Sequence, residues 1–417
     1  MNFKLLIMAL ISFVAIIGIS NATSPTMPSN VILNYSTITI SYNGMLSYPN
    51  PFQQEISLTE NTFGNYIAYN NNFANFEFFN QSGAVIPAWI ESNSSGTLTI
   101  WLKLNGANKL LQTGSSSATE NIYLGFASKT TNLLSNSGTT GIGEAPQLSN
   151  SYGQYDDGAS VFNYYTNFSG TSLPTNWNVY GTGSSYSVNN GITIGSDVST
   201  GVNFGVAYTI IQNYPQIAEA YVVSDHITGG SPTAGIEVFE NLVIGPNGFE
   251  NGYNFGAGGT MTTSSSINVY NSAGDNVELV TGSGTNTPIV LSALWYATGN
   301  EIMYENYATT LSTTDSSVSI GNYYFGFLDS GGAQQHYTTY QWFRLRAVPP
   351  SITYPSTSLS SIESYSASTT STASYNAYPT LAEVTIQSFQ PTINPDDTTN
   401  TNAQSYPSLK PTWYFER

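Results

Sequence analysis

TLTIWLKL, Thr97 to Leu104, sets Leu98, Ile100, Leu102 and Leu104 on one side of an extended chain and Thr97, Thr99, Trp101 and Lys103 on the other. Successive side chains of a strand point to opposite faces, so apolar residues at every second position mark a half-buried strand. The period recurs outward from this stretch. NIYLGF aligns Ile122, Leu124 and Phe126, and STITISY aligns Ile38, Ile40 and Tyr42. SYSVNNGITI reads as a hairpin, with Tyr186 and Val188, a turn on Asn190-Gly191, then Ile192 and Ile194. Asn-Gly suits a two-residue turn that needs positive φ. Helical periodicity is almost absent. Short strands punctuated in this way predict an all-β chain of two β-sandwich (jelly-roll-like) domains.

Two breaks divide the chain. SNSGTTGIGEAPQLSNSYGQ, Ser135 to Gln154, interrupts the strand rhythm with Gly, Ser and Asn, and after Pro349-Pro350 the composition turns to Ser, Thr, Pro and Tyr. The expected division is a signal peptide at 1–22, a first sandwich at 30–150, a second at 155–348, and a Ser/Thr/Pro-rich linker or tail at 349–417. Such a tail holds too little apolar surface to offset the cost of ordering it. One stretch in it, LAEVTIQSF from Leu381 to Phe389, reads as an isolated strand able to dock on a neighbour.

The N-terminus carries the address. Lys4 precedes the apolar run LLIMALISFVAIIGI, which ends at the small residues Ser20-Asn21-Ala22. One positive charge, a short apolar stretch and a small-residue exit read as a secretory signal. An uncleaved anchor is the alternative, although a spanning helix needs about 20 apolar residues. No later segment is apolar enough to span a membrane, and the closing KPTWYFER shows no lipid or sorting pattern. The expectation is an extracellular or cell-surface protein. Four Asn-X-Ser/Thr acceptors begin at Asn34, Asn80, Asn93 and Asn167, which permits glycosylation without showing it.

Charge excludes more than it assigns. The chain has 8 Lys and Arg against 25 Asp and Glu, a formal net charge of -17, and neither Lys nor Arg occurs between Thr130 and Phe343. Nucleic acid needs a basic face and finds none. Anionic lipid is disfavoured for the same reason. Cysteine is absent, so no disulfide or thiolate metal site holds the fold. Charged residues make up 8% of the chain, far below the about 25% of ordinary soluble domains. A surface hydrated by Asn, Ser, Thr and Tyr keeps its character when carboxylates are protonated, which points to an acidic habitat. Glycosylation or assembly at neutral pH would explain the same depletion.

The stretches FEFFNQSGAVIPAWIES, TLTIWLKL and ENIYLGFAS together resemble an uncharacterised domain of archaeal and bacterial surface proteins. The matching residues are Phe78, Gly83, Ile86, Pro87, Trp89, Ile90 and Glu91, then Trp101, Lys103, Ile122 and Tyr123. SLPTNWNVYG and TYQWFRLRAV look like the ends of a concanavalin/laminin-G-like sandwich. The resemblance runs from about Ile38 to Val348. It implies a fold and a surface location and no established activity.

Candidate chemistry is sparse. Asp156-Asp157 offers adjacent carboxylates to Ca²⁺, but without a known calcium-loop spacing, and turns favour Asp in any case. Glu237 and Glu240 fall at i and i+3 of a strand, on opposite faces, which is wrong for a glycosidase pair. His226 and His336 lack partners at zinc-ligand spacing. The expectation is a non-catalytic protein with no cofactor, in which Asp156 and Asp157 read as a hydrogen-bonded turn, with a calcium ion as the alternative. For binding, Tyr340, Trp342, Arg344 and Arg346 are expected on one face of the last strand, with Phe343 and Leu345 on the other. That set reads either as a ligand site or as a cation–π ladder that stabilises the strand. With 30 Tyr, 20 Phe and 6 Trp, aromatic faces are plentiful for sugar stacking, although β cores favour them regardless. Two functions remain: a glycan- or envelope-binding adhesion module, or a structural subunit of a surface layer or filament that pairs with copies of itself.

Overall fold

The alternation at Thr97–Leu104 is realised in a four-stranded sheet ordered Phe52–Thr59, Thr97–Leu104, Ala88–Ser94 and Gly143–Glu144, the last pairing parallel. The computed structural model describes residues 24–365 apart from 69–73, 182–184, 197–202, 213–214, 228–233, 245–248, 258–263, 272–275, 286, 297–298, 319–321 and 331–335. Facing the four-stranded sheet is a second one, ordered Ser356–Leu359, Asn34–Tyr42, Ala118–Phe126 and Phe76–Phe79, with Glu363–Ser364 also paired to Asn34–Tyr42. Leu98, Ile100, Leu102 and Leu104 meet Ile38, Ile40, Ile122 and Leu124 between the sheets, as the alternation requires.

The second sandwich is larger. Its eight-stranded sheet runs Ser185–Val188, Ile192–Ser196, His336–Ala347, Gln216–Ile227, Ile289–Tyr296, Asn300–Glu305 and Ala308–Thr314, with Tyr164–Thr166 beside His336–Ala347. Its seven-stranded sheet runs Asn276–Ser283, Ser264–Tyr270, Gly252–Ala257, Ala234–Phe239, Tyr323–Ser330, Asn203–Gln212 and Trp177–Gly181. Trp177, Ile236, Val238, Phe255, Leu291, Phe325, Phe327 and Phe343 form the core between them. The Asn190-Gly191 hairpin forms as read, with Asn190 at φ 55 and Gly191 at φ 127. The fold is all-β, with helix limited to single turns such as Glu60–Phe63 and Gly158–Val161 among the described residues.

Two features add to the expected division. The stretch 349–417, expected as a linker or tail with one strand at Leu381–Phe389, also carries Ser356–Leu359 and Glu363–Ser364, which return to the first sandwich and cover the edge of Asn34–Tyr42. Short Ser/Thr-rich strands bury little surface, but an open ladder of backbone groups takes them because each unpaired N–H and C=O gains a partner. The second is that residues 24–365, with both sandwiches, lie within one compact unit. LAEVTIQSF and the signal segment lie outside the described residues.

No described helix is long and apolar enough to cross a membrane.

Candidate functional site

Trp101 is the residue that joins the two sandwiches. It points away from the first core, yet it is 1% exposed, because its face of the strand is covered by the second sandwich. Trp89, on the neighbouring strand, lies beside it, and Phe162, Trp342 and the aliphatic Val290 pack with them in a mainly aromatic junction. Trp89 meets Trp342 edge-on at 5.5 Å and 84°, and Phe162 at 5.3 Å and 90°. Four of the residues that carry the resemblance in the first domain, Trp89, Glu91, Trp101 and Lys103, thus mark the face against which the second sandwich packs.

Arg344 lies within this apolar shell. Its guanidinium carbon is 4.4 Å from the Phe162 ring, 4.7 Å from Trp342 and 4.8 Å from Trp101. It pairs with Glu91 of the first sandwich at 2.7 Å and with Glu219 of the second at 2.6 Å. Arg346 adds a 2.8 Å pair to Glu219 and stacks 4.8 Å from Trp101. Burial alone would raise the Glu219 carboxyl, but the two guanidiniums hold it below its usual range. Trp101 Nε1 donates to Glu91 at 2.8 Å, Tyr307 OH donates to the same carboxylate, and Arg344 Nη2 donates to Tyr307 OH at 2.7 Å. Tyr307 reaches this position from a hairpin tip at φ 67, a conformation bulky residues seldom adopt. Gln53 adds a neutral link across the junction by accepting from the Ala347 N–H at 2.8 Å.

This placement corrects the expected binding face. Trp342 and Arg344 are 0% exposed and Arg346 is 3% exposed, so no solvent ligand reaches them. Tyr340 is not on their face at all: it packs in the second core and stacks on Phe327 at 3.8 Å. Tyr221 pairs with Trp342 and Val222 with Tyr340, leaving Gln341 as an extra residue. One inserted residue inverts the alternation, so Tyr340 joins Phe343 and Leu345. Glu219 and Tyr307 were missed in the sequence. The available signal was two arginines at i and i+2 in a region with no other cation, which cannot be buried without carboxylates nearby.

Asp156 and Asp157 form a hydrogen-bonded turn. Asp156 accepts from Trp89 Nε1 at 2.8 Å, Gly158 N at 3.1 Å, Tyr165 OH at 2.7 Å and Asn167 Nδ2 at 2.8 Å. Asp157 accepts from Ser160 Oγ at 2.5 Å, and burial, together with the charge of Asp156, pushes its carboxyl up to about 6. Four donors occupy the Asp156 oxygens, and no cluster of three or more metal-ligating side chains occurs among the described residues. These residues do not fit a calcium ion.

Glu237 faces away from the second core. Asn254 Nδ2 donates to its Oε1 at 3.3 Å, its Oε2 has no partner, and burial pushes the carboxyl up to about 8. Glu240 lies one residue beyond that strand and accepts from Asn251 at 3.2 Å. Beside Glu237, Phe249 stacks on Phe239 at 3.9 Å and 3°, so the chain's own ring covers this part of the sheet. Gly205 permits the cover, since a Cβ there would meet the Phe249 ring at 2.6 Å. The side chains of His226 and His336 lie outside the described residues.

Two clefts open at the junction. The larger, about 820 Å³, is lined by Tyr48, Phe162, Tyr296, Asn163, Gln216 and Lys103, with Pro49, Pro51, Pro215, Pro349 and Pro350 at its walls. The smaller, about 510 Å³, is lined by Glu91, Asn93, Thr99, Gln147, Tyr221 and Tyr307 among others. Thr99 and Lys103 are four residues apart on one strand, which places the clefts toward opposite ends of the junction.

No protein-family model matches the chain, and no curated protein matches it either. The resemblance to the surface-protein domain therefore rests on the residues quoted above. Among solved structures, the carbohydrate recognition domain of Emp47p is similar with a TM-score of 0.30 and 10% identity, over 42% of this chain and 90% of that one. A carbohydrate-binding module from Bacillus subtilis gives 0.30 and 11%, over 40% and 95%. A GlcNAcα1-4Gal-releasing endo-β-galactosidase from Clostridium perfringens gives 0.34 and 9%, over 44% and 62%. At such scores and identities, neither a ligand nor a reaction passes from those proteins to this chain.

Proposed function

We propose that this chain is an exported, non-catalytic module of a cell surface that binds glycan in the larger junction cleft. The observation that carries the reading is the lining of that cleft. Its volume of about 820 Å³ falls within the about 300–1,000 Å³ of small-ligand sites. Tyr296, half-buried, offers a ring face for the C–H side of a pyranose, while the buried Tyr48 and Phe162 rings close the floor beneath it. Asn50, Asn163 and Gln216 offer amides for hydroxyls, and Lys103 is the single cation of the lining. A lining that pairs rings with amides and carries one charge suits a neutral or weakly acidic sugar. Envelope polysaccharide titrated into the monomeric protein should bind, and Tyr296→Ala with Gln216→Ala should weaken binding about tenfold or more, equivalent to about 1.4 kcal/mol. Absence of binding, or binding indifferent to both substitutions, would overturn the reading.

A second reading, a subunit that assembles with copies of itself, is favoured by one observation. Asn276–Ser283 and Ala308–Thr314 end their sheets without a Lys or Pro, and Val277 is 53% exposed. Edge strands without Lys or Pro offer backbone groups for strand addition, here against the charge of Glu278 and a bulge in each edge pairing. Filaments or layers formed by purified protein would support it, and a monomer at all concentrations would not.

A further inference from the structure

The four glycosylation triplets are equivalent in sequence and unequal in the fold. Asn167 is engaged at both amide atoms: its Nδ2 donates to Asp156 at 2.8 Å and its Oδ1 accepts from Ser169 N at 3.0 Å. Asn80 has its Oδ1 tied to Ser82 N, Ser82 Oγ and Ala84 N. Asn34 sits within a strand paired on both sides, and the hydroxyl of its triplet, Ser36, is fully buried and donates to Ser360 O at 2.8 Å. Asn93, Ser94 and Ser95 are all exposed at a hairpin tip, with Ser95 at φ 50 and Gly96 at φ 77. The Asn93 amide makes no hydrogen bond among the described residues.

Asn93 also lines the smaller junction cleft, beside Ser92, Ser94, Thr99, Gln147, Asn306 and Tyr307. Gln147 Oε1 is buried there without a partner, while its Nε2 donates to the Glu91 carbonyl at 3.4 Å. A buried acceptor left unpaired is costly, and a hydroxyl placed in the cleft would relieve it. We propose that Asn93 is the N-glycosylated residue of this protein and that the first sugars of its glycan fold back into the cleft, where a hydroxyl donates to Gln147. In the transfer, Asn93 Nδ2 bonds to the anomeric carbon of a lipid-phosphate-linked oligosaccharide. The carbon–oxygen bond to phosphate breaks, the lipid phosphate leaves with the electron pair, and the amide proton passes to the transferase base. The proposal rests on export and is independent of any free glycan in the larger cleft.

Glycopeptide mass spectrometry of the full chain from its native surface tests occupancy. Asn93 is expected to carry glycan, and Asn93→Gln and Ser95→Ala are each expected to lose it. An unmodified Asn93 would overturn the proposal. Exoglycosidase trimming tests the seat. The proximal sugars should be trimmed about tenfold more slowly in folded than in unfolded protein, the ratio that about 1.4 kcal/mol of protection gives. Gln147→Ala should remove that protection while leaving the glycan attached. Equal trimming in both states, or protection unchanged by Gln147→Ala, would overturn the seat in the cleft.

Discussion

Arg344 concentrates most of what one residue does in this molecule. It satisfies a carboxylate in each sandwich while four aromatic rings surround it. Removing one partner of a buried ion pair leaves the other charge uncompensated, at a cost of about 3–5 kcal/mol. Arg344→Ala should therefore lower stability by that amount in denaturant titration. Tyr307→Phe keeps the ring and deletes the hydroxyl between Arg344 and Glu91, so it should cost less, about 1–3 kcal/mol. Asp156 draws the opposite kind of prediction. With Trp89, Gly158, Tyr165 and Asn167 as donors, it has no need of an ion, and a calcium chelator should leave the melting temperature unchanged. A fall of many degrees would show that the turn holds calcium after all. Alternation correctly placed Ile38, Ile100 and Ile122 in a core, because a period of two is a local property of the backbone. It could not show that Trp101 would be buried from the other side, nor that an extra residue at Gln341 would turn Tyr340 inward. Both depend on partners far along the chain.

Among the elements, the strands Ser356–Leu359 and Glu363–Ser364 matter beyond their size. They close the outer edge of Asn34–Tyr42, which otherwise pairs only with Ala118–Phe126. Ser360 N adds a bond to Thr37 O at 2.9 Å, and Tyr365 N adds one to Leu33 O at 2.9 Å. A chain cut back to Val348 should be less stable than one ending at Tyr365, and more prone to aggregate through the bared edge. Thermal melts and light scattering on the two forms would decide it. Limited proteolysis of the full chain should likewise spare 356–364, not open the chain after Pro350. Composition pointed the other way, because Ser, Thr and Pro report how little a segment buries and say nothing of a ladder waiting for it.

At the scale of the whole molecule, the scarcity of cations leaves buried carboxylates such as Glu237 and Glu301 without a cationic partner among the described residues. Burial pushes Glu237 up to about 8, and burial with the charge of Asp315 does the same for Glu301. Groups raised in this way bind protons more tightly in the folded state. Their stabilisation is complete below the ordinary carboxylate value and is lost as pH rises through about 8. Glu219 and Asp315 are lowered instead, so what they contribute is present above the ordinary value and lost as pH falls through their own. The two trends meet in mild acid. The melting temperature should be higher at pH 5 than at pH 8, with a decline at the lowest pH as Glu219 protonates and abandons Arg344 and Arg346. A maximum at or above neutrality would contradict this and would withdraw support from an acidic setting as the reason for the depleted charge.

The clasp of Glu363–Ser364 on Asn34–Tyr42 has a mechanical side. Asn34 lies opposite Ser364 and Tyr35 opposite Glu363, so the first strand begins where the last described strand ends, and residues 24–33 lead into it from the contact of Thr26 with Gln81. A pull on those two ends would not stretch the molecule from one sandwich to the other. It would load the short ladder first, one hydrogen bond after another, as a zip opens. Everything between Tyr42 and Ser356, including the junction and both clefts, would sit in a slack loop until that ladder gave way. Held at one end and drawn at the other, the protein would shed force by peeling a few Ser and Thr residues while the junction and its clefts stayed unstrained.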